Sequence, residues 1–205
     1  LGYVVIDEQH KFGVNQRKKL SDKGGDDWDV LLMTATPIPR TLTMTMYGDM
    51  DLSIIDELPK DRPDINTSYI EKENLPTAFN FIREKVEAGG QTIIVYPLIN
   101  ESEKQDLSAA VESYEYLRDN IFPDLTVGLM HGKLEDESKN LEMNNFMKGD
   151  IDILVSTTVV EVGIDNPNVN VMLINNSERF GLSQLHQLRG RVGRGTMESY
   201  CLLCS

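Results

Sequence analysis

Short apolar runs rich in β-branched residues alternate along this chain with stretches of helical period, and few folds accommodate that alternation. The runs are Val30 to Met33, Thr92 to Tyr96, Val127 to Met130, Ile153 to Ser156 and Val169 to Ile174. Most are apolar on both faces, as parallel strands covered by helices should be. Between them Leu75, Ala78, Phe79, Ile82 and Val86 form one helical stripe, and Ala110, Tyr114, Leu117 and Ile121 form another. Gly89-Gly90 stops the first helix before its following strand. The pattern predicts an α/β fold with mainly parallel sheets flanked by helices.

The rhythm breaks once. Gly48-Asp49-Met50-Asp51 and Leu58-Pro59-Lys60-Asp61-Arg62-Pro63-Asp64 are turn- and linker-like, which predicts a partial domain over 1–48, a linker over 49–66 and a second domain over 67–205. Both ends are strand-like, from Leu1 to Ile6 and from Tyr200 to Cys204, so the sequence is expected to be a piece of a longer protein. No apolar run approaches the length of a membrane span. Two cysteines cannot build a disulfide framework, which suits a reducing cytosol. Lys plus Arg is 20 against 33 Asp plus Glu, and a formal net charge of -13 would by itself argue against a nucleic-acid partner.

The chemistry-bearing residues gather where strands end. Asp7-Glu8-Gln9-His10 follows the first strand, and adjacent carboxylates there can hold Mg²⁺ and orient water, although a solvated acidic turn has the same composition. Thr34-Ala35-Thr36-Pro37 makes a rigid polar exit from the second strand, or a simple turn into a helix near Thr41. Ser156-Thr157-Thr158 leads to Gly163-Ile164-Asp165, a pattern suited to phosphate and equally to an ordinary connection. Most specific is Gln187 to Gly195, with three arginines and three glycines in nine residues of an acidic chain. Arginine presents a planar fork to phosphate while glycine lets the backbone approach, and Arg191 and Arg194 would share a face on a helical turn.

Taken in order, these segments resemble the motifs of superfamily 2 helicases, in the form carried by the RecG family of bacterial branched-DNA helicases. Asp7 to His10, extended by Lys11-Phe12-Gly13-Val14, is similar to the second motif, and Thr34-Ala35-Thr36-Pro37-Ile38-Pro39-Arg40-Thr41 to the third. Tyr96 to Glu103 resembles the fourth, Thr157 to Asp165 the fifth and Gln187 to Arg194 the sixth. Transcription-repair coupling factors share the third-motif run and much of the sixth. Gln9, Ile55 to Pro59 and Asn100 to Glu103 look more like RecG.

The resemblance implies two RecA-like lobes that bind ATP in a cleft and grip DNA. The first, ATP-binding lobe would be represented by its C-terminal part, 1–48, and the second would be nearly complete. It implies that Asp7 holds Mg²⁺ through water, that Glu8 activates the attacking water, and that His10, Thr34, Ala35 and Thr36 couple hydrolysis to movement. Arg191 and Arg194 would act as arginine fingers beside Gln187, with Gly163 and Asp165 on the nucleotide side. Arg40, His131, Lys133, Thr157 and Thr158 would touch the DNA backbone. The implied partners are branched DNA, at stalled forks and recombination junctions, and an upstream P-loop half-lobe and wedge domain of the same protein. The implied setting is the bacterial cytoplasm, with a monomeric motor and no membrane. A motor that steps along any sequence needs only a narrow line of phosphate contacts, so the acidic total charge is no obstacle.

One departure matters chemically. The chain holds no G-x-x-x-x-G-K-[ST] loop, and the nearest look-alike, Gly128 to Leu134, has one residue too few between its glycines and ends in Leu134. The 205-residue polypeptide alone is therefore expected not to hydrolyse ATP. The competing class is a non-catalytic lobe that binds DNA or a protein. Cys201 and Cys204, three apart on a strand, should point to opposite faces and hold no metal. Glu101 to Asp106 reads as a solvated loop, Met44, Met46, Met143 and Met147 as packing residues, and Trp28 as a small satellite contact.

Overall fold

The computed structural model describes residues 3–7, 29–34, 51–55, 57, 63–97, 103–157 and 165–205, with the side chains of 103–109 excepted. The chain divides into two units, Leu1–Asp56 and Glu57–Ser205.

In the first unit β1 (Tyr3–Ile6) pairs in parallel with β2 (Asp29–Leu32), Ile6 opposite Leu32. The Met33 N–H extends the ladder to the Ile6 carbonyl at 2.8 Å. Strand period 2 sends Val4 and Ile6 inward and leaves Tyr3 and Val5 exposed, as are Leu31 and Met33. This pair thus departs from the expected burial on both faces. The expectations for Met44, Met46 and Trp28 lie outside the described residues.

The second unit is built on six parallel strands in the order β3-β8-β7-β4-β6-β5. They are β3 (Ile65–Ile70), β4 (Gln91–Tyr96), β5 (Val127–Met130), β6 (Ile153–Thr157), β7 (Val169–Ile174) and β8 (Ser199–Cys204). Helices α1 (Leu75–Glu87), α2 (Glu103–Tyr116), α3 (Asp136–Lys148) and α4 (Leu182–Arg189) flank this sheet. This is the parallel α/β architecture the alternation predicts.

Strand alternation sorts the core into two layers. Ile93, Val95, Leu154, Met172 and Ile174 pack with Phe146 of α3 and Leu188 of α4 on one side. Ile94, Ile153, Val155, Val171 and Leu173 pack with Ala78, Ile82 and Val86 of α1 on the other. Fully burying a side chain such as Ile82 stabilises the fold by about 1.5–3 kcal/mol. Cys201 belongs to the first layer and Cys204 to the second, so they point apart as the period requires. Burial pushes the Cys201 thiol up to about 11, and Cys204 upward too.

Helix ends follow local chemistry. Pro76 sits in the first turn of α1, and Gly89, at φ 93°, turns the chain towards β4. The stretch expected to be an acidic loop is helical from Glu103 onward. After α2 the backbone widens into a π-turn, Leu117–Ile121, whose last bond runs from the Phe122 N–H to the Leu117 carbonyl at 2.7 Å. Met143 packs on the core, but Met147 is exposed, a correction to its expected role: Phe146 takes the buried position of that last turn. Among the described residues no helix is long and apolar enough to cross a membrane.

Candidate functional site

In the first unit Asp7 and Thr34 follow adjacent parallel strands and are both exposed. Carboxyl ends of parallel strands are where such sheets present polar groups to ligands. Glu8, His10, Ala35, Thr36 and Arg40 lie outside the described residues, as do Thr158 and Gly163 of the second unit.

In the second unit α4 carries the sixth-motif run to its end. Gly181 precedes the helix, its N–H accepted by Gln184 Oε1 at 3.0 Å. Gln187 is half-buried on α4, and the helix stops at Arg189 with Gly190 as its cap. Residues 191–194 then form an irregular turn, with Gly193 at φ 73°. Arg191 and Arg194 therefore do not share a face of a helical turn, as their spacing suggested, because a left-handed glycine between them redirects the backbone. Arg191 is half-buried, whereas Arg194 swings out and donates from Nη1 to Asp165 Oδ1 at 2.8 Å. The side chains of this ion pair are 31% and 78% exposed respectively.

The proposed DNA-facing residues occupy neighbouring strand ends. His131 follows β5, and Lys133, two residues on, is exposed. Burial, and then the cations Lys139 and Lys133, hold the His131 imidazole below its usual pKa. Its Nδ1 is buried with no hydrogen-bond partner. Thr157 closes β6 at 1% exposure, with its Oγ1 likewise buried and without a partner.

A feature the sequence did not reveal lies where the connections diverge. From β4 the chain crosses towards β5, and from β7 it crosses the opposite way towards β8, so the carboxyl ends of β4 and β7 form the topological switch point. A groove of about 720 Å³ opens there, lined by Leu75, Phe79, Tyr96, Tyr116, Ile121 and Asn175 among others. Burial raises the pKa of Tyr96, partly offset by hydrogen bonds with Asn175 and Ser113. The π-turn that shapes one wall has no periodic signal in sequence.

The helicase conserved C-terminal domain family matches residues 73–196. A Thermotoga maritima protein named ATP-dependent DNA helicase RecG is 54% identical over 99% of this chain and 26% of its own length. Its namesake in Bacillus subtilis is 51% identical over 99% of this chain and 30% of its own length. The solved structure of RecG bound to a three-way DNA junction superimposes with a TM-score of 0.74 at 49% identity, covering 99% of this chain and 26% of that one. The chain thus spans less than a third of the length of these relatives.

Proposed function

Since this chain belongs to the helicase conserved C-terminal domain family and is about half identical, over 99% of its length, to proteins named ATP-dependent DNA helicase RecG, we propose that it is the central motor segment of an ATP-driven enzyme of the RecG kind that remodels branched DNA. The observation that carries the reading is identity of about half over 99% of the chain, with relatives of that name and with a structure solved on a three-way junction. The setting is DNA repair and recombination in the bacterial cytoplasm, and the motor works as a monomer with its P-loop and wedge supplied elsewhere in the same protein.

Each unit, taken by itself, carries groups of the kind that suit a magnesium nucleotide. Asp7 presents an exposed carboxylate at a strand end, and Arg194 holds an anion already, the carboxylate of Asp165. Guanidinium groups that pair with carboxylate also pair with phosphate, through the same planar fork. Asp7 would hold Mg²⁺ through water, and the ion would neutralise charge on the phosphates. Glu8 would orient and deprotonate the attacking water. Arg191 and Arg194 would bind the charge that develops on the transferred phosphoryl group, with Gln187 beside them. Gly163 and Asp165 would line the nucleotide side, while His10, Thr34, Ala35 and Thr36 would pass the change in phosphate charge to the DNA grip. Arg40, His131, Lys133 and Thr158 would hold the DNA backbone, which fixes position without reading sequence, while Thr157, buried at the end of β6, would support that strand end from within.

The test is ATP-dependent unwinding of a three-way DNA junction by the longer protein that carries this segment. Unwinding that is lost on replacing Arg194 supports the motor. Junction binding without any ATP turnover in that protein would favour a non-catalytic lobe.

A further inference from the structure

The segment that carries Asp165 is anchored from within the fold. Asn166 is 1% exposed and Gln91 5%. Asn166 Nδ2 donates to Gln91 Oε1 at 2.9 Å and to the Phe146 carbonyl at 3.2 Å. Its Oδ1 accepts the Asn168 N–H at 3.0 Å. Gln91 Nε2 donates to the Phe146 and Ile151 carbonyls at 2.7 and 2.6 Å, and the Gln91 N–H donates to the Asn168 carbonyl at 2.8 Å. The two amides thus join the start of β4, the turn between α3 and β6, and residues 166–168. The register of β4 against β7 shifts between Gln91 and Thr92, and such irregularities re-aim a side chain.

On its outer side the same segment meets the sixth-motif run twice. Asp165, one residue before the buried Asn166, accepts from Arg194. Gly195 lies so close to the Pro167 carbonyl oxygen that a Cβ there would collide with it.

We propose that the buried Gln91–Asn166 pair is a positioning device for Arg194, acting through Asp165. An exposed ion pair holds a long side chain weakly, and it defines a position only if its carboxylate belongs to a fixed piece of backbone. A buried amide pair whose donors and acceptors are engaged provides that fixity, because no water competes for its bonds. Gln91 and Asn166 are positioning residues, since neither reaches the surface. The duty of Arg194 towards phosphate rests on the function proposed above; its placement does not.

The experiment reads the Arg194 Nη–H resonances in the full 205-residue chain, because Nη1 is the donor to Asp165 while Nε faces the Gly190 carbonyl at 3.5 Å, with Asp165→Asn marking the signal of a released guanidinium. Asn166→Ala and Gln91→Ala should each move the signal at least half-way to that mark and speed solvent exchange of the Nη protons by roughly tenfold, a coupling of about 1.4 kcal/mol. Ile82→Val, which loosens the opposite core layer, should leave it in place. An unmoved signal in a folded Asn166→Ala chain overturns the proposal. Should both alanine variants unfold, the unsubstituted chain is warmed instead. The Arg194 signal should then disappear together with the protected side-chain amide protons of Asn166, and its survival after they exchange overturns the proposal. If the longer protein keeps its ATP turnover after Arg194→Ala, only the phosphate role fails, and the resonance result stands on its own.

Discussion

Arg194 is held 2.8 Å from Asp165, an ion pair that joins two segments 29 residues apart in the chain. Because both side chains are partly exposed, the pair contributes at most about 1 kcal/mol to stability. Its importance is that it keeps a guanidinium on an anion at the surface, where, on the function proposed above, a phosphate would take the carboxylate's place.

In the longer protein, if it has the function proposed above, Arg194→Ala should lower ATP turnover by roughly 10³-fold, about 4 kcal/mol of transition-state stabilisation. Steady-state phosphate release measures this directly, and a loss under about tenfold would remove the finger role.

Glu8→Gln, in the same protein, should leave nucleotide affinity intact and abolish turnover, since the amide keeps the shape of the carboxylate but cannot take a proton. Equilibrium binding of a labelled nucleotide beside a turnover assay separates the two effects. Turnover preserved in the variant refutes the water-activating role.

The 205-residue polypeptide alone should show no DNA-stimulated ATP hydrolysis. It carries the proposed carboxylates and arginines but no phosphate-cradling loop, so the β- and γ-phosphates lack most of their ligands. Measurable turnover by the purified chain would contradict this.

Glu142→Met should raise the unfolding midpoint at pH 7 by roughly 1–3 °C, and less at pH 4. Glu142 Oε2 is buried without a partner, and burial raises its pKa above the usual carboxylate range. A carboxyl whose folded pKa is raised contributes stability that is complete below its unfolded value and lost as pH rises through the folded one. The methionine therefore gains most where the carboxylate is charged. An equal gain at both pH values in thermal melts would show that packing, not charge, is responsible.

Gly195→Ala should destabilise the second unit by about 1–3 kcal/mol, because its Cβ meets the Pro167 carbonyl oxygen and backbone must shift to make room. Chemical denaturation measures the loss. Gly149→Ala is the control: it strains a left-handed φ of 86° but meets no atom, so its cost should stay near 1 kcal/mol.

Strands were legible because their burial on both faces writes itself as uninterrupted apolar runs, as Ile93 to Val95 and Val171 to Ile174 show. The opposed directions of Cys201 and Cys204 followed from period 2 alone. Helix α3 was missed because Phe146 is its one fully buried side chain, too little for a stripe. The turn of Arg191 and Arg194 was misread because spacing of three is informative only while the backbone remains helical. The Gln91–Asn166 pair left no trace in the sequence, since an amide's partner 75 residues away is fixed by the fold and not by any local pattern. Asp165 and Arg194 stood out in the strand-exit and arginine-rich patterns, and their pairing with each other required coordinates.

The strand β3 opens the second unit, yet its neighbour is β8, the last strand among the described residues. During synthesis Ile65–Ile70 must wait, unpaired, until Ser199–Cys204 has left the ribosome. Closure between β3 and β7 is therefore tied to the synthesis of β8: a nascent chain halted within the arginine-rich turn would leave the edges of β3 and β7 open to other chains. Chaperone dependence should rise for that length and fall once β8 emerges.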